Sequence, residues 1–181
     1  MTGRDRSRAA FGLVVVLLAL TSTLIIGGLS AGFGRNSTTP IASCSPGRSS
    51  GQTVQVSLTD GGGMMGPAPM MLGLNLDPSS VRAGQVTFIA TNYGRLDHEL
   101  VVLPMPTDGL GTRPVGTDGK IDESASLGEA SRSCASGVGD GIAPGSRSWV
   151  TVELRPGTYE LVCDEPWHYA NGMYAALTVT S

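Results

Sequence analysis

Residues 163–173 read Cys-Asp-Glu-Pro-Trp-His-Tyr-Ala-Asn-Gly-Met and decide how the rest of the chain is interpreted. The segment carries a thiol at Cys163, an imidazole at His168 and a thioether at Met173, with four residues between successive donors. The chain has 2 histidines, and the other one, His98, lies upstream in the sequence Leu-Asp-His-Glu-Leu-Val-Val. Two imidazoles, one thiol and one thioether are therefore available to a single metal site.

These four donor types favour copper over the other metals common in proteins. A trigonal plane of two His and one Cys with a weak axial Met is typical of mononuclear blue-copper sites. A structural zinc site uses four Cys or His ligands, and iron–sulfur clusters need more cysteines than this segment offers. We therefore predict one mononuclear type 1 copper. The predicted ligands are His98, Cys163, His168 and Met173.

A cysteine nucleophile is the other chemical interpretation of Cys163. Catalytic thiols are activated by an adjacent base or by a helix N-terminus. Cys163 instead follows a strand-like run and shows no recognisable nucleophile motif. Multicopper catalysis would need further histidines, and the two in the chain are already assigned to one site. We predict that the protein is not an enzyme.

The flanking sequence predicts an all-β fold. Short runs of alternating apolar and polar residues are separated by Gly and Pro turns, and no convincing amphipathic helix accompanies them. Such a pattern predicts an antiparallel β-sandwich in which the ligand segment joins the last two strands at one end. The predicted strands are 53–58, 85–90, 100–103, 148–154, 158–162 and 174–180.

Three runs of the sequence resemble a cupredoxin. They are Val-Arg-Ala-Gly-Gln-Val-Thr-Phe at 81–88, His-Glu-Leu-Val-Val at 98–102 and Pro-Gly-Thr-Tyr-Glu-Leu-Val-Cys at 156–163. The four-residue gaps on both sides of His168 resemble the sulfocyanin and rusticyanin branch. The resemblance implies a Greek-key β-sandwich over residues 52–181, with the four donors named above in the four copper positions. One departure is Glu99, because cupredoxins often carry Asn or Ser directly after the first His.

The N-terminus predicts a membrane segment. Arg4, Arg6 and Arg8 precede a mostly apolar run over residues 9–33, which is long enough to cross a bilayer. We predict that residues 1–34 form a single-pass anchor in the cell membrane, with the N-terminus in the cytoplasm and the copper domain outside. A cleaved signal peptide, which would make the protein secreted, is the alternative.

The remaining cysteines, Cys44 and Cys134, form an even pair outside the predicted metal site. In an oxidising compartment such a pair predicts a disulfide. Cys44 also ends the sequence Ile-Ala-Ser-Cys, which resembles a lipobox, so a lipid anchor is the competing interpretation. The Ser, Thr, Pro and Gly content of residues 35–51 predicts a flexible linker to the copper domain.

Two segments are additions to a minimal β-sandwich. Residues 106–145 are rich in Gly, Ser and acidic residues and predict a long excursion between strands. Its acidic residues could form a docking face for a basic redox partner, or a solvated loop without a role. These residues are Asp118, Asp122, Glu123, Glu129 and Asp140.

Residues 61–71 hold four methionines, which could bind a second Cu(I), form a docking patch or simply cover the sandwich.

These observations predict an electron carrier between respiratory redox partners, such as a cytochrome or a terminal oxidase. The formal net charge of −3 and the lack of a basic patch with interleaved aromatic residues argue against nucleic acid as a partner. The alternative is a protein that binds, stores or delivers copper outside the membrane, which the methionine-rich segment favours.

Overall fold

Strands with alternating apolar residues build two facing sheets. The computed structural model describes residues 44–47, 51–61 and 71–181. Within this part the all-β prediction is confirmed, and no α-helix is present. The strands are β1 (Gln52–Gly61), β2 (Met71–Asp77), β3 (Ser80–Arg82), β4 (Gly84–Asn92), β5 (Leu100–Pro104), β6 (Gly128–Arg132), β7 (Gly137–Gly141), β8 (Arg147–Leu154), β9 (Gly157–Val162) and β10 (Tyr174–Thr180).

The first sheet has the order β2-β1-β4-β8, and the second has the order β3-β10-β9-β5-β6-β7. The expected antiparallel pairing holds for most neighbours, including β9 with β10 and β5 with β9. Three pairs are parallel instead: β1 with β4, β3 with β10, and β6 with β7. Both sheets are therefore mixed.

The core lies between the two sheets. Val54, Val56 and Leu58 alternate along β1 and are buried, and they pack in one cluster with Phe88 of β4 and Leu161 of β9. Each such side chain contributes roughly 1.5–3 kcal/mol of burial free energy. The same cluster contains the side chains of two predicted copper ligands, Cys163 and Met173, so the ligand segment is an extension of the core.

A second, smaller cluster covers the opposite face of the second sheet. Val101 and Leu103 of β5 and Val162 of β9 pack there with Ile121 and Tyr169. Because both faces of β5 are covered, residues 100–103 are all fully buried, and the strand reads as a continuous apolar run. Ile121 belongs to the long excursion after β5, so the excursion is a cover for this face of the sheet.

The excursion also contains strands that the sequence analysis did not predict. β6 and β7 lie within residues 106–145 and extend the second sheet beyond β5. Their sequences, Gly-Glu-Ala-Ser-Arg and Gly-Val-Gly-Asp-Gly, hold a single β-branched residue, Val138, and no aromatic residue, so they carry little of the signal by which strands are recognised. β2 and β3 were missed as well.

A disulfide joins Cys44 to Cys134, as predicted. It links the segment before β1 to the turn between β6 and β7, across 90 residues of sequence. A thiol held in a disulfide is not available for acylation, which argues against a lipid anchor at Cys44. The free cysteine of the described residues is Cys163.

The membrane anchor predicted at residues 1–34 and most of the predicted linker lie outside the described residues, as does most of the methionine-rich segment. No helix in the described ranges has the length and apolar character that a membrane crossing requires.

Candidate metal centre

The β9–β10 connection holds three of the four predicted ligands. Val162 pairs with Tyr174 at the end of the two strands, and just beyond them the Cys163 N–H donates to the Met173 carbonyl over 3.0 Å. Inside the connection, the Met173 N–H donates to the His168 carbonyl over 3.1 Å. The short 3₁₀ helix Tyr169–Asn171 follows His168 directly. Main-chain hydrogen bonds within the segment therefore fix its backbone conformation.

His98 reaches the same place from the start of β5. Its backbone forms an isolated bridge with Ile142, in which the two residues exchange hydrogen bonds of 3.3 and 2.6 Å. Ile142 directly follows β7, so the excursion helps to hold this ligand. The His98 side chain is fully buried.

Three of the four predicted ligands converge on one point. Cys163 Sγ lies 3.3 Å from His168 Nδ1 and 3.8 Å from His98 Nδ1, and the two Nδ1 atoms are 3.2 Å apart. Bonds of about 2.0 Å to nitrogen and about 2.3 Å to sulfur would separate donors in a trigonal plane by roughly 3.5–3.7 Å. The donor triangle therefore fits one metal ion at its centre.

Met173 is fully buried in the core cluster that also contains Cys163. Its main-chain bonds to Cys163 and His168 hold it next to two members of the donor triangle. A buried thioether in the same core cluster as the Cys163 thiol fits the soft axial ligand of a copper site.

The protonation of the donors is set by burial. Burial lowers the pKa of both histidines, so the imidazoles are neutral and can coordinate at neutral pH. Burial also raises the pKa of the Cys163 thiol to about 12, although backbone N–H groups of Glu99 and Glu165 oppose the rise. The Glu99 N–H lies 3.3 Å from Sγ. A metal ion that binds here must displace the thiol proton, and these N–H groups then solvate the thiolate.

Asp60 contacts the candidate site and was not predicted from the sequence. His98 presents Nδ1 to the donor triangle, and its other nitrogen, Nε2, lies 3.1 Å from Asp60 Oδ2. Burial acts to raise the pKa of Asp60, but hydrogen bonds from the backbone N–H groups of Leu96 and Arg95 and from His98 lower it overall. An ionised carboxylate therefore fixes the tautomer and orientation of the imidazole, as is common around metal-binding histidines.

The loop between β4 and His98 holds Asp60 in place. Asn92 donates through Nδ2 to the carbonyls of Leu96 and Ile142, each over 2.7 Å. Its Oδ1 accepts from the Gly94 N–H, also over 2.7 Å. A Cβ on Gly94 would lie 1.9 Å from Asp60 Oδ2, so only glycine leaves room for the carboxylate.

The residues around His168 differ in their exposure to solvent. His168 is 9% exposed, and beside it Trp167 is 53% exposed. Tyr169, the next residue along the chain, is buried. Its hydroxyl donates to Glu160 Oε1 over 3.1 Å and accepts from the Arg113 N–H over 3.0 Å. Tyr169 therefore anchors the ligand segment to the excursion and does not face a partner.

The five acidic residues of the excursion differ in their exposure to solvent. Asp118, Asp122 and Asp140 are exposed, whereas Glu123 and Glu129 are half-buried. Glu123 turns inwards, where its carboxylate comes close to those of two residues that neighbour predicted copper ligands.

Comparison with known proteins agrees with this geometry. The sulfocyanin (SoxE) domain model matches residues 80–181, which is more than half of the chain. Auracyanin from Roseiflexus castenholzii is 18% identical, with 74% of this chain and 100% of that chain covered and a TM-score of 0.47. Reduced rusticyanin is also 18% identical, with 73% of this chain and 82% of that chain covered and a TM-score of 0.43. These structural similarities are too distant to carry an argument on their own. No curated protein matches the chain.

Proposed function

This chain belongs to the sulfocyanin domain family, a branch of the cupredoxins, and on that premise we propose that it carries single electrons at one blue-copper centre. Cupredoxins bind one type 1 copper and are generally electron carriers rather than enzymes. The observation that carries the proposal is the buried donor triangle of Cys163, His98 and His168, whose sides are close to those that a single metal ion requires.

The chain supplies a rigid and nearly dry site. His98, Cys163, His168 and Met173 would hold the copper, which supplies reversible one-electron chemistry when bound. Hydrogen bonds within the β9–β10 connection and from Asp60 hold the donors before metal arrives, so little rearrangement is needed. Small rearrangement on gain or loss of an electron is what fast electron transfer requires.

The partner would approach the end of the sandwich where His168 reaches the surface. His168 is the donor residue with the greatest exposure among the three that converge, and Trp167 offers an apolar contact beside it. The proposed partners are proteins of a respiratory chain, such as a cytochrome or a terminal oxidase. The proposed location is outside the cell membrane, on an anchor formed by residues 1–34. The disulfide between Cys44 and Cys134 supports an oxidising compartment.

The test is the visible absorption and EPR spectrum of the full chain loaded with Cu(II). We expect an intense band near ~600 nm and a narrow copper hyperfine splitting, both signs of a thiolate bound in a trigonal site. Cys163→Ser should remove the band, whereas Ser136→Ala on the excursion should leave it unchanged. A weak, ordinary Cu(II) spectrum from the unmodified chain would refute the proposal.

A copper delivery protein is the second candidate, and the methionine-rich sequence of residues 61–71 favours it. The two functions differ in how readily the metal leaves. A carrier keeps copper through repeated oxidation and reduction, whereas a delivery protein surrenders Cu(I) to a competing acceptor. The full burial of His98, Cys163 and Met173 supports retention.

A further inference from the structure

Three carboxylates form a second cluster close to the proposed copper site. Glu99, Glu123 and Asp164 each bring an oxygen atom within 4.8 Å of the other two. Asp164 and Glu99 are buried, and the backbone N–H of Ile121 donates to Asp164 Oδ1 over 2.7 Å. Buried carboxylates this close repel one another strongly unless a proton or a cation is shared between them.

The position of the cluster follows from the alternation of side chains along two paired strands. Val101 of β5 lies opposite Val162 of β9, and both side chains point away from the main core. Two residues before Val101 and two after Val162 lie Glu99 and Asp164, on the same side of the sheet. The excursion covers this side and adds Glu123 from above. The carboxylate cluster is therefore built by the fold and is not a chance grouping of surface charges.

One oxygen in the cluster has no hydrogen-bond partner. Glu99 Oε1 is buried and accepts no hydrogen bond from any residue that the structure describes. The side chain of Glu99 is only 8% exposed. A buried carboxylate oxygen left in this state costs considerable free energy, so it points to a group that completes its coordination.

Lys120 is the cation already near the cluster, and it does not complete it. Its Nζ lies 3.7 Å from Glu99 Oε1, which is beyond hydrogen-bond distance. The Lys120 side chain is 40% exposed and can turn outward.

We propose that Glu99, Glu123 and Asp164 bind a hard divalent cation, with Ca²⁺ as the best match. Calcium prefers carboxylate and other oxygen ligands at 2.3–2.6 Å, so any two ligands of one ion lie no more than about 5 Å apart. The observed limit of 4.8 Å satisfies this condition. Water would fill the remaining positions, and Lys120 would move aside as the ion enters. This second site is independent of the copper proposal, because its donors are hard and the copper donors are soft.

Calorimetric titration of CaCl₂ into the full chain, stripped of copper, tests the proposal. We expect one Ca²⁺ per chain and a loss of affinity of roughly tenfold or more in Glu123→Gln, which removes one ligand charge. Lys120→Met removes the competing ammonium and should tighten binding. Glu153→Gln is the control, because it removes an exposed carboxylate from β8 in the other sheet.

Three outcomes would overturn the proposal: no saturable binding by the unmodified chain, an affinity that Glu123→Gln leaves unchanged, or a Lys120→Met variant that binds no more tightly. Because the titration uses copper-free protein, a failure of the blue-copper spectrum would not affect its result. Equally, the absence of calcium binding would leave the copper proposal intact.

Discussion

The two faces of the second sheet place opposite kinds of donor at the same strand ends. On the core side lie His98 and Cys163, which are soft or borderline donors in a nearly dry pocket. On the other side lie their immediate neighbours Glu99 and Asp164, which are hard oxygen donors under the excursion. A single step along each strand therefore separates a site suited to copper from one suited to calcium, because successive side chains of a strand point to opposite faces.

Removing one donor from each face tests whether the two sites are independent of one another. Cys163→Ser should abolish the band near ~600 nm completely, because the colour depends on the thiolate. The same variant should bind Ca²⁺ as the unmodified chain does. Glu123→Gln should show the reverse pattern, with an intact blue band and weakened calcium binding. Parallel absorption and calorimetry on both variants make the measurement, and the loss of both signals in either variant would show that the two faces are not independent.

Removing the disulfide should lower the free energy of unfolding strongly without affecting the proposed copper site. Replacing Cys44 and Cys134 by serine removes a cross-link between residues 90 apart, which the chain-entropy model values at about 4.6 kcal/mol in the free energy of unfolding. No proposed copper ligand lies in the excursion, so the absorption spectrum of the folded protein should not change. Urea denaturation followed by fluorescence gives the stability.

The single variants Cys44→Ser and Cys134→Ser are the internal control for the disulfide. Each breaks the same bond, so each should cost as much as the double variant. Additive losses, or a shifted blue band, would contradict the assignment of the disulfide to stability alone.

The sequence predicted the core-side site far better than the excursion side. Three of the proposed copper donors lie within eleven residues, and the flanking strands alternate clearly, so both this segment and its place between the last two strands could be predicted. β6 and β7 were not predicted because glycine and serine have a low propensity for β-strands. Glu123 was predicted to belong either to a docking face or to a solvated loop, since nothing in the sequence shows that it turns under the excursion towards Asp164.

Asp60 was missed for a different reason. It lies 38 residues before His98 and near the end of β1, where an acidic residue is unremarkable. Only the parallel pairing of β1 with β4 brings it beside the loop that leads to His98. Pairing of strands that are distant in the sequence depends on the whole fold, and a local pattern does not encode it.

Asp60→Ala tests how much the core-side site depends on this distant residue. Loss of the hydrogen bond to His98 Nε2 should weaken copper binding by about 10–100-fold, the usual effect of removing such a partner. Asp60→Asn keeps an acceptor but removes the negative charge, so it should retain more affinity and raise the reduction potential. Competition with a chelator and voltammetry give the two quantities. If Asp60→Ala and Asp60→Asn bind copper as Glu153→Gln does, Asp60 has no positioning role.

Gly94→Ala should produce the smallest change, because it acts on Asp60 only by contact. The new Cβ would lie 1.9 Å from Asp60 Oδ2, so the carboxylate must move away from the loop and from His98. We expect a loss of about 1–3 kcal/mol in the free energy of unfolding, as for other overpacked sites, and a fall in copper affinity smaller than that of Asp60→Ala. Gly61→Ala is the matched control, since it follows Asp60 directly and its Cβ would meet nothing within 4 Å. If the two alanine variants are equally stable, the loop moves to make room for the new Cβ and Asp60 keeps its position. The proposed copper site would then tolerate more movement than its hydrogen bonds indicate.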